Sequence, residues 1–183
     1  MKRHSLLRHV PLLAVAALLG GCQAKTTNTA EQSAAAAASA MMEANKAACQ
    51  RFYDLVLNAG DTTLVDTLVA ADAVEHQVMP PGYPAGTAAA LRKFVVDWHL
   101  AFPDIKVSVG SMVAEGNQVA IYSTMTGTNT GVFMGMKPTG KAIKVEGFDL
   151  VRIENGKMVE HWGLNDNYAM MLQLGTIKEP AMK

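Results

Sequence analysis

At Pro103 the hydrophobic period of the chain changes. Before it, apolar residues recur at helical spacing: Ala48, Phe52, Leu55, Val56 and Ala59, then Leu91, Phe94, Val95, Trp98 and Phe102. After it, the period is two. Ile105, Val107 and Val109 alternate with Lys106 and Ser108, and Ile121 and Met125 stand opposite Tyr122, Thr124 and Thr126. Residues 142–153 and 158–167 complete four main strands. Helices segregated before an antiparallel sheet indicate α+β architecture. A strongly curved sheet wrapped on helices makes a cone with an apolar interior, a natural ligand cavity.

Local signals place the element ends. The first helix should stop at Gly60, and Asp61 caps a short second helix carrying Leu64, Val65 and Leu68. Residues 73–78 read as a brief strand halted by Pro80-Pro81-Gly82. The third helix covers 87–102 and ends at Pro103, which cannot continue it. Asn155-Gly156 between two alternating runs predicts a tight hairpin. Residues 160–166 then form a strand, followed by a short helix over 168–174 that ends at Gly175.

The first residues belong to no folded domain. Lys2, Arg3 and Arg8 make a basic head, and 10–19 is an apolar run too short to span a bilayer. Leu19-Gly20-Gly21-Cys22 resembles a bacterial lipobox. It implies cleavage after residue 21 and acylation of Cys22, which anchors the protein stably when two or more chains are attached. Gln23 rather than Asp follows, a pattern that resembles outer-membrane sorting. The expected organisation is therefore a signal peptide over 1–21, a lipidated Cys and flexible tether over 22–40, and a domain over 41–183. A flexible tether of that length spans on the order of 25 Å. The expected location is the bacterial envelope, on the outer membrane and facing the periplasm.

Charge and cysteine usage narrow the classes. The whole chain balances 16 Lys and Arg against 16 Asp and Glu. Loss of the three basic residues in the leader leaves the remainder acidic, and no basic stripe suits nucleic acid. With Cys22 acylated, Cys49 has no partner for an intramolecular disulfide and reads as a small buried hydrophobe. His76, His99 and His161 lack metal-ligand spacing, so no metal is expected. Gly135 to Lys141 fits G-x-x-x-x-G-K, but Ala142 stands where the magnesium-binding hydroxyl belongs and a strand follows; it reads as an inter-strand loop.

Near the end of the sheet, Glu160-His161-Trp162 and Asp166 combine an imidazole, an aromatic ring and a carboxylate. Other blocks precede them in order: Asn58-Ala59-Gly60-Asp61, Val74-Glu75-His76, Ala101-Phe102-Pro103-Asp104, Gly131 through Lys141, Phe148-Asp149-Leu150-Val151-Arg152 and Asn155-Gly156-Lys157. Gln173-Leu174-Gly175 closes the series. Together they resemble the SnoaL-like polyketide cyclases, or ester cyclases, of the nuclear-transport-factor-2-like superfamily, over residues 41–175. The resemblance implies a cone-shaped α+β barrel and aldol ring closure without a cofactor, one aspartate serving as acid and base. The matching position is Asp166.

A single carboxylate can do both jobs if an apolar pocket raises its pKa. A regular strand puts Trp162 and Leu164 on the face of Asp166 and His161 on the other; a bulge would bring both His161 and Asp166 inward. Asp166, His76 and His161 are therefore the catalytic candidates. Tyr53, Trp98, Trp162, Met134, Met136 and Asp149 are the pocket candidates, with Met170 and Met171 adding soft lining. Asp149 and Arg152 are also candidates for an internal ion pair, and Asp166 for an ordinary helix N-cap. The expected partners are a small lipophilic molecule, the membrane through Cys22, and a second copy in a homodimer. Two function classes stand: a cofactor-free cyclase or isomerase on a lipophilic carbonyl compound, and a non-catalytic envelope lipoprotein that binds a small apolar ligand. The fold hosts both kinds of site.

Overall fold

The seam at Pro103 separates the helical layer from most of the sheet. A computed structural model describes residues 21–179 of the chain. The leader therefore lies outside the described residues, as does the side chain of Cys22. The chain divides into Met1–Ala37 and a larger unit, Ala38–Lys183.

Helix α1 spans Gly21–Arg51. The flexible tether expected over 23–40 is thus helical. No Gly or Pro interrupts 22–51, and the Ala34 to Ala38 run has the highest helix propensity. The residues from 28 to 40 are exposed, as a helix without an apolar face requires. At Phe52 the winding loosens into a π-helical segment, Phe52–Asn58, which buries Tyr53 and Val56. It ends before Gly60, whose φ of +71° suits a residue without Cβ. Asp61 then accepts a hydrogen bond from the Thr63 amide and opens a 3₁₀ turn, Thr62–Leu64, that runs into α2, Val65–Leu68. These ends match the sequence signals.

Strand β1 is Val69–Glu75 and helix α3 is Thr87–Ala101. Phe102 caps α3 outside the helical region, with φ −135° and ψ 83°, as proline after it favours. Four strands follow: β2 Lys106–Glu115, β3 Gln118–Thr128, β4 Ala142–Glu154 and β5 Lys157–Asn165. Helix α4, Asn167–Leu174, ends on Gly175 in the left-handed region. The sheet order is β1-β5-β4-β3-β2. Strands β2 to β5 form an antiparallel meander, and β1 joins β5 in parallel. The architecture is α+β, with helices packed against a five-stranded mixed sheet.

One bulge decides which side chains face inward. Arg152 pairs with Glu160, but Ile153 pairs with Met158, so Val159 is an extra residue on β5. An extra residue exchanges the two faces beyond it. After the bulge, His161, Gly163 and Asn165 stand opposite Val151, Asp149 and Gly147, all on the inner row of β4. Trp162 and Leu164 consequently turn outward, and Leu164 is 77% exposed.

Two buried clusters back the inner face. One joins Tyr53, Val56, Val65 and Val95 to Val119, Ile121 and Ile153. The other joins Trp98 and Phe102 to Phe133, Ile143, Val145 and Met170. Ring contacts between Trp98 and Phe94, Phe102 and Phe133, at centroid distances of 5.4, 5.4 and 4.8 Å, hold α3 against the loop before β4. Asn129, buried at the root of that loop, accepts from the Thr139 amide and donates to the carbonyls of Ala101 and Gly131. The G-x-x-x-x-G-K stretch is therefore an inter-strand loop, as its residues indicate.

Candidate active site

Between the helices and the inner face of the sheet lies a cavity of about 120 Å³. Leu57, Leu91, Phe94, Val95, Trp98 and Ile105 supply much of its apolar lining. Its polar groups converge where β1, β4 and β5 meet: Glu75, Gln77, Asp149, His161 and Asn165, with Tyr53 reaching them from the π-helical segment. A π-helical stretch displaces side chains from α-helical register, and such stretches are frequent at functional sites. Here it carries the tyrosine that bonds Asp149.

His161 is at the centre. Its Nε2–H donates to Asp149 Oδ1 at 2.9 Å, and its Nδ1–H donates to Glu75 at 2.8 and 2.9 Å. Burial, the largest single influence, pulls the imidazole down. The hydrogen bonds to Asp149 and Glu75, with the charges of both, outweigh it and raise the group from 6.5 to about 9. His161 is therefore an imidazolium at neutral pH, and both ring nitrogens donate. Asp149 takes a second hydrogen bond at Oδ2 from the Tyr53 hydroxyl. Burial first, then the Asp149 charge, pushes the Tyr53 phenol far above its ordinary value, so it stays protonated. Glu75 is further held by the Gln77 amide at 2.9 Å. Two carboxylates around one imidazolium leave one negative charge in excess, in a site whose lining holds no Lys or Arg among the described residues.

Gly163 makes room for this arrangement. A Cβ there would lie 2.6 Å from Gln77 Oε1, 2.9 Å from His161 Cε1 and 3.1 Å from Asp149 Oδ1. Cys49 also lines the cavity; burial and then the nearby Asp149 raise its thiol to about 12, so it remains an unreactive thiol. His99 meets the Leu57 carbonyl at 2.9 Å and joins the helical segments at the cavity wall.

Of the sequence candidates, Tyr53, Trp98, Asp149 and His161 come together at the cavity. The others do not. Asp166 is exposed, and its carboxylate accepts from the Ala169 amide at 2.8 Å as the N-cap of α4. Its neighbour Asn165 lines the cavity instead. His76 stacks on Trp162, with ring centroids 4.2 Å apart and planes 2° from parallel, and lies 4.0 Å from Glu160. The bulge at Val159 accounts for the displacement of Trp162, because the regular strand assumed for it has the opposite parity. Met134 is exposed at the tip of its loop, and Met136 packs against the second cluster. The Asp149–Arg152 pair does not form. Their positions differ by an odd number on one strand, and Arg152 bonds Glu154 and Glu160. Glu75, Gln77, Gly163 and Asn165 escaped the sequence reading. A signal for Asp149 was present: a charged residue in the otherwise apolar inner row Ile143, Val145, Val151, Ile153.

Among the described residues no group of three or more His, Cys, Asp and Glu is arranged to hold a metal ion, and no helix is long and apolar enough to cross a membrane.

Similar proteins share this architecture. Wild-type IdmH from Streptomyces antibioticus, proposed there as a polyketide cyclase, is 30% identical, with a TM-score of 0.62 over 72% of this chain and 98% of its own. The proposed hydroxylase AclR from Streptomyces galilaeus is 28% identical, with a TM-score of 0.66 over 76% and 91%. TsrD from Streptomyces laurentii, at 21% identity, shares the fold, with a TM-score of 0.66 over 74% and 97%. No curated protein matches by sequence. The family model described as SnoaL-like polyketide cyclase matches residues 47–174, which hold every cavity residue named above. The chain belongs to the SnoaL-like polyketide cyclase family.

Proposed function

We propose that the chain is a cofactor-free acid/base enzyme acting on a carbonyl compound with an apolar body, and that Asp149 is its base. The observation that carries this reading is the Tyr53–Asp149–His161–Glu75 chain of hydrogen bonds at the wall of an otherwise apolar cavity. Asp149 removes a proton from the carbon α to the substrate carbonyl. The C–H electron pair moves into an enolate, whose oxygen accepts a hydrogen bond from Tyr53 or from the Asn165 amide. In a cyclisation, the enolate carbon then bonds to a second carbonyl carbon of the same molecule. The new alkoxide takes the proton back from Asp149, and the carboxylate is restored. In an isomerisation, the proton returns to a different carbon. His161, held by Glu75, keeps its ring aimed at Asp149 through both steps. A positioned base of this kind contributes about 10²–10⁴-fold. Holding a flexible substrate in a ring-closing conformation supplies the rest.

The reading predicts exchange of α-hydrogens into D₂O, followed by NMR on ketones of one to three rings. Asp149→Asn should lower exchange by about a hundredfold or more. Asn keeps the shape and can still accept a hydrogen bond, so thermal unfolding should show a folded variant. Equal exchange by wild type and variant would remove Asp149 from the chemistry. Saturable ketone binding with no exchange above buffer would favour the second reading, a non-catalytic ligand carrier. We also propose that the domain is exported and held at a bacterial envelope membrane through acylated Cys22; the leader and lipobox residues support this.

A further inference from the structure

We infer that the ligand of this cavity is a compact, electrically neutral carbonyl compound about the size of one six-membered ring. This deepens the function proposed above and rests on it for the carbonyl chemistry, but the size and charge limits come from the cavity alone.

Size is the first limit. The cavity is about 120 Å³. An apolar cavity of roughly 150 Å³ holds benzene, whereas pockets for drug-sized ligands run to about 300–1,000 Å³. Expansion is opposed by the walls. Val95 and Ile121 are at most 2% exposed, and Trp98 is locked by three ring contacts. Enlarging such a wall requires repacking both core clusters.

Charge is the second limit. The polar end holds Glu75 and Asp149 against the single cation His161, and no Lys or Arg lines the space among the described residues. An anionic ligand would enter a desolvated site already negative, with no cation left free to pair it. Carboxylates, phosphates and acyl carriers with phosphate groups at the cavity are excluded on that ground. Polarity is the third limit. The side-chain amides of Gln77 and Asn165 share the cavity with the charged cluster, and Phe94, Trp98 and Ile105 are among its apolar lining. The fitting ligand presents one carbonyl or hydroxyl to the first group and hydrocarbon to the second.

The experiment is a titration series on the full chain by calorimetry, with thermal unfolding in parallel. The probes are cyclohexanone, 1-tetralone, anthrone and cyclohexanecarboxylate. Cyclohexanone should bind saturably and raise the unfolding temperature, and anthrone should do neither. Cyclohexanecarboxylate should bind about tenfold more weakly than cyclohexanone or worse, and Asp149→Asn should narrow that gap. Trp98→Ala, if it folds, should admit 1-tetralone. Anthrone binding as tightly as cyclohexanone would overturn the inference, and so would equal affinity for ketone and carboxylate or no binding of any probe. None of these readings uses turnover. Cyclohexanone binding without α-hydrogen exchange would sink the catalytic proposal alone, and exchange confined to three-ring ketones would sink the size limit alone.

Discussion

Asp166 and Asp149 show how little a residue type says without its surroundings. Both are aspartates near the end of the sheet. One is exposed and satisfies the open end of α4; the other lies in an apolar row and accepts from Tyr53 and His161. Their variants should separate accordingly. Asp166→Ala should cost about 1 kcal/mol of stability by chemical denaturation, and Asp166→Asn only a few tenths, because Asn caps nearly as well. Neither should lower α-hydrogen exchange in the fraction that is folded; loss of exchange in Asp166→Asn would move the base to the cap. His161 predicts a pH dependence. Its folded-state value of about 9 lies above the ordinary 6.5, so its contribution to stability is complete below pH 6.5 and is lost as pH rises through 9. The denaturation midpoint of wild type should fall across that window relative to His161→Gln. Parallel curves for the two proteins would mean that His161 is not held protonated by its neighbours.

At the scale of the element, β5 is where the site is made. Its hairpin was readable in advance. Asn155 and Gly156 both take positive φ, 50° and 74°, as a two-residue turn matched to strand twist requires. Its facing was not. Val159 has no composition cue that marks it as an extra residue, and the exchange of faces arises only from pairing with β4. Deleting Val159 should return Trp162 and Leu164 to the inner row and expel His161. The expected result is a loss of more than about 3 kcal/mol, with ketone binding abolished. A deletion variant with wild-type stability and binding would show that the bulge does not set the face. Gly163→Ala tests the same strand more gently. The added methyl meets Gln77 and His161, so exchange should fall by about tenfold while the sheet persists. Unchanged exchange would mean that the His161 ring can shift without consequence.

For the whole molecule, the leader and the fold make separate predictions. Cys22→Ala should release the protein from membranes or block its processing, measured by fractionation of expressing cells; a variant acylated and membrane-bound like wild type would end the lipoprotein proposal. The order of helices and strands, the break at Pro103, the caps at Asp61 and Gly175 and the hairpin at Asn155-Gly156 were all legible from the chain, because each depends on interactions within a few residues. The family was legible for a related reason: the blocks that carry the resemblance are short local runs that, Gly175 aside, lie within residues 47–174. Residues 23–40 are helical where the sequence suggests a flexible tether, because low apolar periodicity does not distinguish an unstructured chain from an exposed helix and alanine propensity alone supports the helix. The site depended on something else. Glu75, Asp149 and His161 come from three strands, Tyr53 from a π-helical turn 96 residues before Asp149, and they meet only when β1 lies parallel to β5 and a single bulge reverses its faces. Local propensities act over a turn or a strand and determined the elements; which faces met was decided by the pairing and packing of distant segments, where a shift of one residue exchanges a half-buried imidazolium for an exposed leucine.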